Sequence, residues 1–408
     1  MSDDGLTAVA DHLGTVLSRV QTLEPTSVAL GDAIGRVLRA PVRAAVDIPV
    51  FDNSAMDGFA VRAEDVEAVP ARLRVVADLP AGTELDPPLG AGEAARIMTG
   101  APLPTAATAI VPFEQTEGGL ADSLGEIVVT ASPVRPGVHI RRRGEDASVG
   151  SELLPAGIVL GPLQLAAVAA AGVDRVVVSR PPRIAVVSTG SELVDAGGPL
   201  RRGQIPESNS VLLAGLAREA GADVVLRASV GDESDGPRTA IADARTLGAD
   251  VVVFSGGVSA GAYEVVKQSL GDILTFTRVR MQPGKPQGFG RTGDGALVFG
   301  LPGNPVSAAV SFEVFVRPAL LALQGARDLA RPVIALPAAT GWRTPAGRAQ
   351  YLPVTIDRAD PRAWCVRPAT AGGSHLAGGL GRAEAYAVVP AHIESVAEGD
   401  IVDVMLIS

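Results

Sequence analysis

The chain has 408 residues, of which 47% are hydrophobic and only 3% aromatic, with 47 Gly, 31 Pro and a net charge of −10. That length exceeds one ordinary core, so several aliphatic cores joined by many turns are expected. The acidic balance argues against general nucleic-acid binding, and charges or prolines break every apolar run before it could span a membrane.

Residues 6–20 place Leu6, Val9, Ala10, Leu13, Val16, Leu17 and Val20 at helical spacing and predict an amphipathic helix. "GDAIGRVLRA" (31–40) reads as a second, shorter one. From about 51 to 145 the texture changes to short β-like runs, "RLRVVA", "AIVPFEQ" and "EIVVTA", separated by Gly- and Pro-rich turns. Residues 161–172 read as helix again and "RVVVS" as strand, so the β-rich unit is inserted into a helical framework formed by both flanks. Beyond Pro181-Pro182 strands and helices alternate. "RIAVVST", "DVVLRASV" and "DVVVFSGG" are strands. "NSVLLAGLAREAGA", with Ser208 or Asn209 as N-cap, and "PRTAIADARTLGA" are helices. This is the βαβ signature of a mostly parallel, helix-covered sheet. A helix near 305–323 ends it, and the remainder reads as a terminal β domain. The fold class is multidomain α/β plus β, divided as 1–50 with 145–178, 51–144, 179–328 and 329–408.

One cysteine, Cys365, excludes an internal disulfide framework, and with four scattered histidines it disfavours a soft-metal site. A bound metal should be hard and oxygen-ligated, with magnesium the obvious candidate. No basic-then-apolar leader opens the sequence, which reads as cytoplasmic. Of 35 basic residues only two are lysines, Lys267 and Lys285, and both fall in one Gly-rich region. Three loops occupy the carboxyl ends of predicted strands: "STGSEL", "SGGVSAG" and "GLPGNPVS". Glycines there let backbone N–H groups approach an anion. None fits a Walker loop or G-x-G-x-x-G. Singly each is an ordinary turn; three in one sheet, with Lys285 nearby, favour a phosphate- or oxyanion-bearing ligand. Glu192, Asp232 and Glu264 in the same region read either as helix-start residues or as carboxylates gathered around magnesium.

"DNSAMDGFAV", "RIMTGAPLP", "RRRGED", "VVSTGSEL", "SGGVSAG", "QPGKPQGFG", "GLPGNPVS" and "GGSHL" occur in that order. Together they resemble the molybdopterin molybdenumtransferases, the MoeA-type molybdenum insertases whose relatives include the E domains of gephyrin and plant Cnx proteins. The resemblance implies an elongated, discontinuous helical segment, an inserted β-rich domain, an α/β molybdopterin-binding domain and a C-terminal β-barrel. It implies a homodimer whose active site lies between subunits. The implied substrates are molybdate and adenylylated molybdopterin, the products molybdenum cofactor and AMP, and the assisting metal Mg2+. It makes molybdopterin adenylyltransferase a candidate partner, with no nucleic acid and no membrane.

Carried over by motif, Asp57 in "MDG", Thr99 in "MTG" and Asp146 in "GED" are the implied catalytic residues, with Asp57 and Asp146 also implied at the metal. Glu192, Asp232, Gly256, Gly257, Ser259, Glu264, Lys267, Lys285, Pro302, Pro305 and Ser374 are the implied cofactor-binding positions. Asp52, Asn53 and Ser54 read as supports of the turn presenting Asp57. The sequence departs from the family pattern at Glu264, where Asp is usual, at Gln282, where many members carry a further lysine, and at Ser191, where an acidic residue is common. These departures suit an alternative in which the chain is a weakly active or non-catalytic paralogue that binds pterin or serves as a scaffold. Retention of Asp57, Thr99 and Asp146 favours the enzyme.

Overall fold

Runs of Val, Ile and Ala bounded by glycine build the central sheet. The computed structural model describes residues 5–121, 123–131, 135–231, 235–258, 265–369 and 377–407. Strands Asp223–Val230, Arg183–Thr189, Val251–Ser255 and Leu297–Leu301 lie side by side in that order and run parallel. Pro286–Arg291 and Leu274–Arg278 extend the sheet antiparallel. Val251–Ser255 and Leu297–Leu301 are buried at every position, as strands covered on both faces must be. Helices Asn209–Glu219 and Gly236–Thr246 supply the covers. Leu213 and Ala217 pack on one face with Phe299, Phe312 and Phe315, and Ala240 and Ile241 on the other with Phe254 and Val266.

The helical run Pro305–Gln324 contains one π turn, Phe312–Val316. Its mean hydropathy of 1.7 and its length would let it cross a membrane, but 89% of it is packed inside the protein, which makes it a core helix. The π turn places Glu313 in that core. Arg331, in the link to the terminal sheet, donates two hydrogen bonds to the Glu313 carboxylate at 2.8 and 3.1 Å. The first helix, Val9–Leu17, also joins this core. Val16 is fully buried, and His12 sits edge-on to Phe315 with ring centroids 4.8 Å apart. Burial lowers the His12 pKa to about 4, so this histidine is a neutral core residue.

Two expectations change for the flanking segment. Residues 31–40 are not a helix: a 3-10 turn, Leu30–Asp32, is followed by Gly35 at φ +72°. Val37 and Leu38 then bridge Val159 and Val178. Two glycines in ten residues weaken the helix, and backbone pairing with the far flank wins. The segment as a whole is less helical than expected. It holds helix Pro162–Ala170, but its halves are joined by strand pairs 25–29 with 175–179 and 42–43 with 152–154.

The inserted unit is a five-stranded sheet in the order 109–112, 58–61, 93–97, 71–79, 126–129, with aliphatic cores on both faces. The terminal domain supplies five strands of a six-stranded sheet whose sixth is Met281–Gln282 of the α/β region; Ala338, just beyond strand Val333–Pro337, bridges Val366 of strand Cys365–Pro368. The Glu313–Arg331 pair ties this domain to the central helix. Glu313→Ala leaves a half-buried guanidinium with only the more distant Glu219, 3.8 Å away, and is expected to cost a few kcal/mol, read as a lowered thermal midpoint. Arg331→Ala added to it should recover part of the loss.

Candidate functional site

The three Gly-containing loops meet where the sheet geometry puts them, at the carboxyl ends of parallel strands. With segments 205–209 and 281–286 they line a cavity of about 840 Å3. Glycine is required at its floor. Gly256 has φ +99°, and a Cβ there would lie 2.7 Å from both the backbone oxygen and Oγ1 of Thr189. Gly303 packs directly against Gly256, where a Cβ would be 3.3 Å from the Gly256 Cα.

A chain of buried hydrogen bonds runs beneath these loops. Ser255 Oγ donates to Ser188 Oγ at 3.3 Å, and Ser188 Oγ donates to Glu207 Oε1 at 2.7 Å. Ser210 gives its N–H to Oε1 at 2.8 Å and its hydroxyl to Oε2 at 2.5 Å. Asn209 Nδ2 continues the chain to the Gly303 carbonyl at 2.6 Å. Burial raises the Glu207 carboxyl, but the donors from Ser210, Ser188 and Asn209 outweigh it and hold the group below the ordinary glutamate range. Ser208 occupies the N-cap position without a side-chain capping bond, so the capping role expected of Ser208 or Asn209 falls to Glu207.

Glu192, Gly256, Gly257, Lys285, Pro302 and Pro305 all line the cavity. Lys267 does not. Its side chain is exposed, and only its backbone reaches the site, donating to the Gly257 carbonyl at 3.0 Å. Asp232, Ser259, Glu264 and Ser374 lie outside the described residues. Sequence reasoning missed Glu207, Asn209 and Arg348. The first two had a faint signal, an acid and an amide at the start of a helix that follows a strand-end loop. Arg348 arrives from the terminal domain, and no local pattern marks it. Gln287 was also missed; its Nε2 donates to Gly284 O and Ser311 Oγ, both at 2.7 Å, and so holds the turn that carries Lys285.

Asp57, Thr99 and Asp146 do not line this cavity; they belong to the edge of the inserted unit. Residues 55–57 form the bend, and Gly58 starts strand Gly58–Val61. Its glycine is demanded by the neighbouring strand rather than by the turn, since a Cβ would lie 2.1 Å from Val111 O. Asp57 is exposed. Its Oδ1 accepts the N–H and the hydroxyl of Thr99, both at 2.7 Å, which hold its carboxyl below the usual aspartate range. Asp52, Asn53 and Ser54 do support the turn. Asp52 accepts from Arg142 and the Arg143 N–H, Asn53 Nδ2 donates to Phe51 O, and Ser54 Oγ donates to Met56 O. The same ribbon carries Asp146, whose N–H donates to Ile48 O at 2.9 Å. Register separates the two aspartates: Asp146 sits beside Ile48, whereas Asp57 lies beyond the Ser54–Ile140 pair.

Fold and cavity together define a multidomain protein with a polar-lined cavity on its α/β domain and exposed aspartates at the edge of an inserted β unit. Comparison with known proteins narrows this. Residues 7–172 match the family model described as the MoeA N-terminal region (domain I and II), 185–322 the probable molybdopterin binding domain, and 335–407 the MoeA C-terminal region (domain IV). The chain is 44% identical over 362 residues to molybdopterin molybdenumtransferase 2 of Mycobacterium tuberculosis, covering 86% of this chain and 88% of that one. It is 35% identical over 412 residues to molybdopterin molybdenumtransferase 1 of the same organism, covering 94% and 95%. The crystal structure of the molybdopterin biosynthesis MoeA protein from Pyrococcus horikoshii superposes with a TM-score of 0.80 at 31% identity, over 98% of this chain and 99% of that one. The chain belongs to the MoeA-type molybdopterin molybdenumtransferase family.

Thr99→Val removes one of the two donors to Asp57 while leaving the backbone N–H. The Asp57 pKa is expected to rise part of the way to its ordinary value, as followed by carboxyl carbon-13 NMR of aspartate-labelled protein. An unchanged titration would show that the hydroxyl does not sustain the ionised form.

Proposed function

We propose that this protein is a molybdenum insertase, taking molybdate and adenylylated molybdopterin to molybdenum cofactor and AMP. The observation that carries the reading is the 840 Å3 cavity, which places Lys285 and Arg348 among glycine loops within the region matched as a molybdopterin-binding domain. In this reading the loops and the two cations hold phosphate and pterin. An oxygen nucleophile attacks a pyrophosphate phosphorus, the anhydride P–O bond breaks and AMP leaves, while molybdenum passes to the dithiolene sulfurs of the pterin. The protein's share is electrostatic: donors and cations already in place where negative charge develops. The work belongs in the cytoplasm, with an adenylyltransferase supplying the substrate. We read the terminal sheet, whose ends meet at Ala338 and Val366, as the family's barrel.

Magnesium suits the donor chemistry. Among the described residues no group of three or more His, Cys, Asp or Glu forms a cage. A hard cation content with one or two carboxylates plus substrate phosphate oxygens fits exposed aspartates instead. Asp57, kept ionised by Thr99, and Asp146 are the residues that would hold it. Bound there, the metal would neutralise charge on the pyrophosphate.

The separation of Asp57 from the cavity within one chain supports a site completed by a second copy. A surface suited to that copy is at hand. Helix Pro162–Ala170 is apolar around its circumference, yet only Val168 is buried. Leu163 is 82% exposed, and Ile34, Val159 and Val177 of the same segment are exposed as well.

Asp57→Ala is expected to abolish AMP release from adenylylated molybdopterin in the presence of molybdate; a wild-type rate would overturn the assignment. Mixing Asp57→Ala with Lys285→Ala subunits tests the shared site. Random pairing makes half the dimers mixed, each with one intact site, so about a quarter of wild-type activity should return. Two inactive parents that stay inactive on mixing would place the whole site within one chain.

A further inference from the structure

Two described side chains that line the cavity, Asn209 and Gln282, keep a buried oxygen without a hydrogen-bond partner, and Asn209 is the one at the helix start. Its side chain is nine-tenths buried, and Nδ2 is committed to the Gly303 carbonyl at 2.6 Å. That bond fixes which way the amide faces, because a carbonyl can only be met by the NH2 end. The other end, Oδ1, is buried and has no hydrogen-bond partner. A buried acceptor left in this state costs free energy until a donor reaches it.

The surroundings say what kind of donor fits. Oδ1 is an oxygen acceptor beside the ionised Glu207, so a phosphate or molybdate oxygen is repelled from it. The helix start that could otherwise attract an anion is already occupied, since Glu207 takes the Ser210 N–H. The cations of the cavity, Lys285 and Arg348, are on other segments. The lining thus carries acceptors at 207–209 and at Gln282 together with cationic positions at 285 and 348. A ligand with a neutral N–H edge at one end and an anionic tail at the other matches both.

Resting on the insertase reading above, we propose that Asn209 Oδ1 is a specificity residue that accepts an N–H from the exocyclic amino group of the pterin ring. On the amino-pyrimidinone edge, that amino group is the donor furthest from the ring's own carbonyl oxygen. A lone acceptor therefore meets it without opposing a second acceptor.

The test uses three probes on the full-length protein. They are pterin-6-carboxylate, its deaminated counterpart lumazine-6-carboxylate, in which a carbonyl replaces the amino group, and AMP. Dissociation constants come from fluorescence quenching for the pteridines and from calorimetry for AMP. Wild-type protein should prefer the pterin over the lumazine by roughly tenfold. Asn209→Ala should erase that preference, bringing the ratio of the two pteridine dissociation constants to about one. Asn209→Asp, which keeps an acceptor oxygen but loses the tether, should retain a preference. If Asn209 merely braced the loop, both variants would weaken all probes alike and the ratio would persist, which overturns the proposal. Loss of AMP affinity in Asn209→Ala, with the pteridine ratio intact, would give the acceptor to adenine and also overturn it. Should Asn209→Ala not fold, the wild-type ratio decides: equal affinities for the two pteridines sink the proposal alone. No binding of either pteridine to the wild type sinks the insertase reading with it.

Discussion

The hydrogen-bonded chain from Ser255 through Ser188 and Glu207 to Ser210, and from Asn209 to Gly303, sets the shape of the cavity. It ties two parallel strands, one helix start and the loop after a third strand into one polar unit. Its five side chains are all buried, and Gly303 at its end is exposed. The bonds it does make, from strand to helix start to loop, are what let glycine loops, which have no side chains to brace them, keep their positions. Gly256 and Gly303 touch because the structure on either side leaves them no other place.

The second structural commitment is at the junction of the inserted unit. Asp47 and Asp52 each accept from the arginines of "RRRGED", Asp47 from the Arg143 side chain and the Val149 N–H, and Asp52 from Arg142 and the Arg143 N–H. These pairs are exposed, and each alone contributes little to stability. Their value is positional, since they hold the ribbon that carries both Asp57 and Asp146. The protein thus uses a buried polar chain to shape the ligand cavity and a surface charge clamp to aim the carboxylates.

Much of this was legible in the sequence. Buried parallel strands announce themselves as unbroken apolar runs, and the strands at 183–189, 223–230 and 251–255 were read almost to their ends. Glycine loops at those ends located the cavity. The errors have physical causes. Residues 31–40 looked helical, but Val37 and Leu38 bridge Val159 and Val178, more than a hundred residues away, which no local pattern reveals. Glu207 and Asn209 looked like ordinary capping neighbours because burial and a shared hydrogen-bond chain are properties of the assembled fold. Arg348 reaches the cavity from another domain. Lys267, singled out by its rarity and by motif, has an exposed side chain and meets the Gly257 carbonyl through its backbone N–H.

The pairing of Asn53 with Arg141 and Ser54 with Ile140 makes the incoming and outgoing strands of the inserted unit immediate neighbours. Only one inter-strand spacing, about 4.8 Å, separates the two points where the chain leaves and rejoins its framework. To the framework, the unit between them is topologically a long hairpin loop. Such a cassette can be lengthened, shortened or exchanged for another without rethreading the chain around the central sheet.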